Sequence, residues 1–257
     1  MENLSDKLMG FVEIANDLLA VAHDMADDYN HILKKDKVTV PYQRRITIGL
    51  YKKMYYALLS LKEDASKGRP EAMHHLKTLV ECYIYVHWMT LKDSESRAKF
   101  IEAEVCDENI RFIKNNTEMF AAEADENISW WKSRKAALMR GHEKAFKEFA
   151  EKTLYGKAKE DSHLKETYDK VYRFACQPAH ISDLDYYMLD TEIVDMFGRP
   201  RAFMQWSLLA LNFGTRIVLN MIEYALNDPF FKRSQDKEKV TNQITQLRHR
   251  HDILRQG

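Results

Sequence analysis

An apolar seam at the start of the chain is the sequence feature that most restricts its fold. Apolar residues recur there at alternating steps of four and three, at Leu4, Leu8, Phe11, Ala15, Leu18, Ala22, Met25, Tyr29 and Ile32. This spacing keeps every member on one face of an α-helix, and about four heptads of it are typical of a long bundle helix or a coiled coil. The seam predicts an N-terminal helix over residues 1–36 whose apolar face must be covered by other helices.

Composition extends this expectation to the rest of the chain. Of its 257 residues, 8 are Gly and 5 are Pro, whereas 45% are hydrophobic and 30% are charged. Few helix breakers and many apolar residues favour long helices over sheets. We therefore predict an all-α fold, an elongated multi-helix bundle forming a single domain over residues 1–257. The long N-terminal heptad helix covers residues 1–36, a helical core covers 42–227, and a charged C-terminal helix covers 232–254.

Helical periods and Gly or Pro breaks divide the core into separate helices. The predicted helices cover residues 42–66, 71–91, 95–114, 142–154, 164–176 and 201–226, with a further helix opened by Trp130 and interrupted at Gly141. Two polar stretches, residues 115–127 and 156–162, show no clear period and are predicted to be connections. The helix over 71–91 is apolar nearly all round after Leu76, which predicts a central position.

Charge and cysteine usage predict a cytoplasmic protein without membrane contact. The formal net charge is zero, so no global basic field gathers nucleic acid, and any RNA contact must be local. Cys82, Cys106 and Cys176 form no Cys-x-x-Cys pair, which fits free thiols in a reducing compartment. No secretion signal is visible at the N-terminus, and the apolar stretches at 79–91 and 206–222 are interpreted as buried helices.

Several chemically useful side chains converge between residues 168 and 183. A predicted helix runs into Pro178, with Arg173 before the break and His180 and Asp183 after it. Metal-independent RNA cleavage needs a group that deprotonates or polarises the 2′-hydroxyl and a cation that holds the scissile phosphate. A histidine can supply the first near neutral pH, and an arginine the second through its bidentate fork. The segment therefore predicts a candidate catalytic site.

The spacing of Arg173 and His180 resembles the Arg-x(4–6)-His motif of the HEPN ribonucleases, helical bundles that act as dimers in toxin–antitoxin, abortive-infection and CRISPR systems. This resemblance implies that Arg173 binds the scissile phosphate and His180 acts as general base or acid. It also implies RNA as substrate, a homodimer, and a toxin or phage-defence role with an antitoxin or other protein as partner. The residue after the arginine, usually polar in that superfamily, is Phe174 here. Arg69 followed by His74 or His75 fits the same spacing.

A second resemblance covers residues 45–190. The segment over 76–85 is similar to a helix of the uncharacterised bacterial family named domain of unknown function 5677, in which a basic residue and a Glu lie about one turn apart. A later Tyr-x-x-x-Tyr-Arg…His segment follows in that family. Lys77, Glu81, Tyr168 and Tyr172 match these positions, although the usual basic residue is Arg.

The catalytic assignment combines the two resemblances. Glu81 would orient Arg173, and Tyr172 would position the ribose. Lys77, Tyr168 and Asp183 would contact the substrate. Glu81 also has a purely structural interpretation. A carboxylate on an apolar helix needs a partner, and this can be Lys77 one turn earlier or Arg173 across the bundle.

Metal and cofactor chemistry is not predicted. Glu71-x-x-His74 and Glu160-x-x-His163 match the helical half-site of di-metal carboxylate proteins, but Glu is common at helix starts in any case. No Gly-rich phosphate loop and no Gly-x-Ser-x-Gly elbow occur in the sequence.

A basic patch with neighbouring aromatic residues offers a local nucleic-acid contact. Its members are Lys132, Arg134, Lys135 and Arg140, next to Trp130 and Trp131. Such a patch can track a phosphate backbone while the aromatic rings stack on bases, or it can simply keep a helix soluble.

A non-catalytic function is the alternative interpretation of the whole chain. In this interpretation the first helix pairs with that of a second copy or with a helix of another protein, and the chain is a helical oligomerisation or interaction protein. Glu81, Arg173 and His180 then form a structural network. The heptad seam is the sequence feature that favours this alternative.

Overall fold

The computed structural model describes residues 2–36, 41–120, 123–176, 201–227 and 237–256. Regular structure in these ranges is helical, and they contain no strand, so the predicted all-α class is confirmed. The helices are α1 (Glu2–Asp36), α2 (Tyr42–Ser66), α3 (Ala72–Leu91), α4 (Ser94–Asn115), α5 (Thr117–Phe120), α6 (Ala124–Met139), α7 (Glu143–Ala150), α8 (Leu154–Ala158), α9 (Ser162–Thr167), α10 (Arg173–Cys176), α11 (Arg201–Leu226) and α12 (Lys237–Gln256). A π-helical turn, Tyr168–Tyr172, joins α9 to α10.

The two stretches predicted to be connections are largely helical instead. The stretch over 115–127 contains α5 and the start of α6, and the stretch over 156–162 contains the end of α8 and the start of α9. Local caps explain the second case. The Thr153 hydroxyl accepts a hydrogen bond from the Gly156 N–H, and Asp161 Oδ1 accepts from the His163 and Leu164 N–H groups. These side chains satisfy the first amides of two short helices, so polar composition alone was misleading.

The chain forms two compact units. The first unit comprises residues 1–39, 51–83 and 166–257, and the second comprises 40–50 and 84–165. The prediction of a single domain stays a prediction.

In the first unit, α1 packs against α11 and α12, which also pack against each other. The seam residues Leu8, Phe11, Ala15 and Leu18 are fully buried. Their apolar face is therefore covered by helices of the same chain.

In the second unit, α4 packs against α6 and α7 around an aromatic cluster. Trp88, Phe100, Phe146 and Phe149 are buried and meet edge to face, with ring centroids 5.3 Å apart for Trp88 and Phe149. Edge-to-face contacts of this kind add to the stabilisation that comes from burial alone.

All three cysteines are free thiols, as predicted. Burial raises the pKa of Cys82 to about 11, so this thiol is protonated and unreactive at neutral pH. None of the described helices is long and apolar enough to cross a membrane.

Candidate functional site

The predicted catalytic segment contains a π-helical turn. Residues 162–176 are helical throughout, and within them the Arg173 N–H donates to the carbonyl of Tyr168, five residues earlier. A π-turn inserts one residue into the helical repeat, which changes the directions of the side chains that follow it. Such turns occur frequently at functional sites.

Tyr172 links this turn to α3. Its hydroxyl donates to Glu81 Oε1 over 3.1 Å, and Lys77 Nζ lies 4.0 Å from the same oxygen. The Glu81 side chain is 29% exposed and so less buried than the sequence suggested. Lys77, at one turn before Glu81, is the partner expected in the structural interpretation.

The Tyr172 hydroxyl remains protonated at neutral pH. Burial raises the pKa of this phenol, and the neighbouring Glu81 carboxylate and Cys176 thiol raise it further. The ring also stacks on Tyr168, with centroids 4.8 Å apart. Tyr172 is therefore a fixed neutral donor that holds the π-turn against α3.

Arg173 points away from this contact and into solvent. Its side chain is 66% exposed, and Nε lies 3.6 Å from Asp169 Oδ1, one turn earlier on the same helix. The structure gives Glu81 and Arg173 other ion-pair partners, Lys77 and Asp169, and the orientation of Arg173 by Glu81 stays a prediction. The position that faces α3 is occupied by Tyr172, whose hydroxyl donates to Glu81.

Phe174 anchors the segment on its other side. Its ring stacks on Trp206 of α11 with centroids 4.8 Å apart and meets Phe213 edge to face at 6.1 Å. An apolar residue at this position, unlike the usual polar one in the HEPN superfamily, thus fixes the backbone that carries Arg173. The guanidinium is exposed on a rigid base.

His180 and Asp183 lie outside the described residues, as does Pro178. The structure therefore places Arg173, Tyr172, Tyr168, Glu81 and Lys77. The catalytic role of His180 stays a prediction.

The structure describes both partners of the second Arg/His match. Arg69 Nη1 lies 3.4 Å from Asp64 Oδ1, and His75 Nε2 lies 3.1 Å from Asp64 Oδ2. Asp64 belongs to the last turns of α2 and His75 to the first turn of α3, and Gly68 between them has φ 65°. One carboxylate thus joins both ends of the tight turn from α2 to α3, which is a structural role.

Glu160, which belongs to one of the two Glu-x-x-His matches, takes part in an ion network. Arg97 is fully buried and donates to Glu160 Oε2 over 2.6 Å, while Lys152 donates to Glu160 Oε1 over 2.8 Å. Partial burial opposes ionisation of Glu160, but hydrogen bonds from Lys152, Trp88 and Arg97 outweigh it and lower its pKa to about 2. Among the described residues, no cluster of His, Cys, Asp and Glu could hold a metal ion.

Aromatic rings surround the buried cations of this network. The Arg97 guanidinium lies 4.4 Å from the centre of the Trp88 ring and 5.6 Å from that of Phe149. Lys157 is also buried and donates to Glu104 over 3.2 Å. Cation–π contacts and charged hydrogen bonds together compensate for the removal of these charges from water. Sequence reasoning missed this network because Lys157 and Glu160 lie in a stretch with the composition of a linker.

No protein-family model matches the chain, and comparisons with curated proteins and with solved structures also found no match. The two family resemblances stay predictions.

Proposed function

We propose that this protein is a metal-independent ribonuclease of the HEPN type, with a toxin or phage-defence role. The observation that carries the proposal is the exposure of Arg173, a permanent cation whose carboxylate neighbour lies at 3.6 Å on its own helix. Arg97, by contrast, is enclosed by its partners. Arg173 is instead available to an oxyanion of a substrate.

In the proposed reaction the 2′-oxygen of a ribose attacks the adjacent phosphorus, and the bond from phosphorus to the 5′-oxygen breaks. His180 accepts the proton of the 2′-hydroxyl, Arg173 binds the non-bridging phosphate oxygens, and water supplies a proton to the leaving 5′-oxygen. The products are a 2′,3′-cyclic phosphate end and a 5′-hydroxyl end. No metal and no cofactor is required.

Tyr172 has a positioning role in this proposal. Its single proton is donated to Glu81, so it offers a ribose hydroxyl only its oxygen as an acceptor. Its main contribution is to fix the π-turn that carries Arg173.

Since HEPN sites form between two subunits, the proposal includes a homodimer and, for a toxin, an antitoxin partner.

The test is RNA cleavage in the presence of a metal chelator by the wild-type protein and by His180→Ala. We expect the wild-type protein to release 2′,3′-cyclic phosphate and 5′-hydroxyl ends, and the variant to lose cleavage while its melting temperature stays close to the wild-type value. Intact RNA with the wild-type protein would contradict the proposal. So would cleavage at the wild-type rate by a folded His180→Ala variant.

A further inference from the structure

A cleft in the second unit has the side chains of an anion site with aromatic walls. It has a volume of about 420 Å³. Its lining residues are Tyr42, Arg45, Lys99, Trp130, Ser133, Arg134, Ala137 and Leu138. Arginine and lysine supply every formal charge in this lining, and no acidic side chain is among them. Since Lys99 and Arg134 pair with the carboxylates of Glu95 and Glu102 just outside this lining, Arg45 contributes most of the net positive charge at the cleft.

The cations of the cleft differ in how firmly they are held. The Arg134 guanidinium pairs with Glu102 and lies 5.8 Å from the centre of the Trp130 ring. Lys99 donates to His142 Nε2 over 3.0 Å and lies 3.3 Å from Glu95. Arg134 and Lys99 are thus oriented by neighbours, which lowers the entropy lost when a ligand binds.

Arg45 and the aromatic walls are more open. Arg45 is exposed and lies 5.9 Å from the centre of the Tyr42 ring. Trp130 is 53% exposed, and its ring meets Trp131 edge to face at 4.5 Å, which leaves the indole supported. An exposed, supported tryptophan next to arginines suits stacking of a planar ligand.

Tyr42 carries a polar atom without a hydrogen bond. Its hydroxyl oxygen is buried and has no hydrogen-bond partner among the described residues. Such an atom is destabilising where it stands, and a ligand in the cleft reaches it only if the Tyr42 side chain turns.

We propose that this cleft binds a nucleotide, with the base stacked on Trp130 and the phosphate held by Arg45 and Lys99. The combination of cations with an accessible indole selects a ligand that is both anionic and planar. A volume of about 420 Å³ is within the range of about 300–1,000 Å³ that is usual for small-ligand pockets. This inference does not rest on the proposed cleavage reaction, since its residues belong to the second unit and Arg173 to the first.

A free nucleotide and a nucleotide within a single strand present the same base and phosphate. The experiment therefore measures the affinity of adenosine monophosphate and of a short single-stranded 2′-O-methyl RNA by calorimetry. The 2′-O-methyl strand cannot undergo attack by a 2′-hydroxyl, so binding is separated from cleavage. Tight binding of the strand alone identifies a strand site, and equal binding of both identifies a mononucleotide site. Either outcome supports the proposal.

Variants locate the binding. Trp130→Ala should weaken affinity by about tenfold or more through loss of stacking. Arg45→Ala should also weaken the affinity. It should lower the steepness with which affinity falls as salt rises by the amount that corresponds to about one phosphate contact. The matched controls are Tyr56→Ala, an exposed aromatic of the first unit, and Lys132→Ala, an exposed cation of α6 outside the cleft. Absence of binding by both probes, or equal losses in variants and controls, would overturn the proposal.

Discussion

The charge of Arg97 is balanced chiefly by one carboxylate, that of Glu160. We expect Glu160→Gln to lower the free energy of unfolding by about 3–5 kcal/mol, because it leaves a buried guanidinium without a counter-charge. Glu148→Gln is the matched control, since Glu148 pairs with the same Lys152 but is 62% exposed. Exposed pairs contribute about 0.2–1 kcal/mol. Equal losses in urea denaturation of the two variants would show that Arg97 does not depend on Glu160.

The lowered pKa of a single histidine, His87, should make the stability of the protein depend on pH. Burial, together with the neighbouring His163, lowers the pKa of His87 from 6.5 to about 4. Between these values the unfolded chain binds a proton that the folded protein does not, so stability should fall as the pH drops from 6.5 to 4. His87→Gln should reduce this slope in denaturation curves measured across that range. An unchanged slope would mean that another group is responsible.

Replacing a helical glycine by alanine should have opposite effects on stability in two different helices. A Cβ at Gly214 of α11 would lie 2.9 Å from Leu61 Cδ1 and 3.2 Å from Leu79 Cδ1, and both leucines are fully buried. A Cβ at Gly49 of α2 would meet nothing within 4 Å. Gly49→Ala should therefore stabilise by about 0.5–1 kcal/mol through helix propensity.

Gly214→Ala should destabilise the protein by about 1–3 kcal/mol. The strain of an added methyl group in a packed core exceeds the gain in helix propensity that alanine brings at either position. Thermal unfolding of the two variants checks the pair. A higher melting temperature for Gly214→Ala would show that α11 can move away from Leu61 without loss.

The helices could be predicted from the sequence because apolar spacing determines which face of each helix is buried. The bounds of α2 were predicted to the residue, and those of α3 and α4 to within one residue at either end. The π-turn could not be predicted, since its extra residue leaves no mark on periodicity. The turn places the Tyr172 hydroxyl against Glu81, a contact that the sequence did not predict, and leaves Arg173 beside Asp169.

At the scale of the whole molecule, the N-terminal seam allows a test of the alternative function, that of a helical oligomerisation or interaction protein. A helix that pairs with a second copy needs an apolar face without cover, but α1 packs against α11 and α12 and its seam residues Leu8, Phe11, Ala15 and Leu18 are fully buried. We expect truncation of residues 1–33 to abolish cooperative unfolding of the protein, because it removes a wall of the core. A truncated protein that stays folded and merely becomes monomeric would favour the interaction function.

A less drastic pair of variants separates core from surface on α1. Leu18 is fully buried, whereas Met9 is 43% exposed. Leu18→Asp should unfold the protein and Met9→Asp should not, since only the first places a charge among apolar side chains. Circular dichroism distinguishes the two outcomes.

The most direct test of the central claim is the rate of RNA cleavage by Arg173→Ala beside that of Arg69→Ala. Each arginine precedes a histidine at the same kind of spacing and is more than half exposed, but Arg69 shares its carboxylate with His75 in a turn. We predict a loss of about 100-fold or more for Arg173→Ala, with its fold retained, and a rate close to wild type for Arg69→Ala. Full activity of Arg173→Ala would contradict the account, as would loss of activity only in Arg69→Ala.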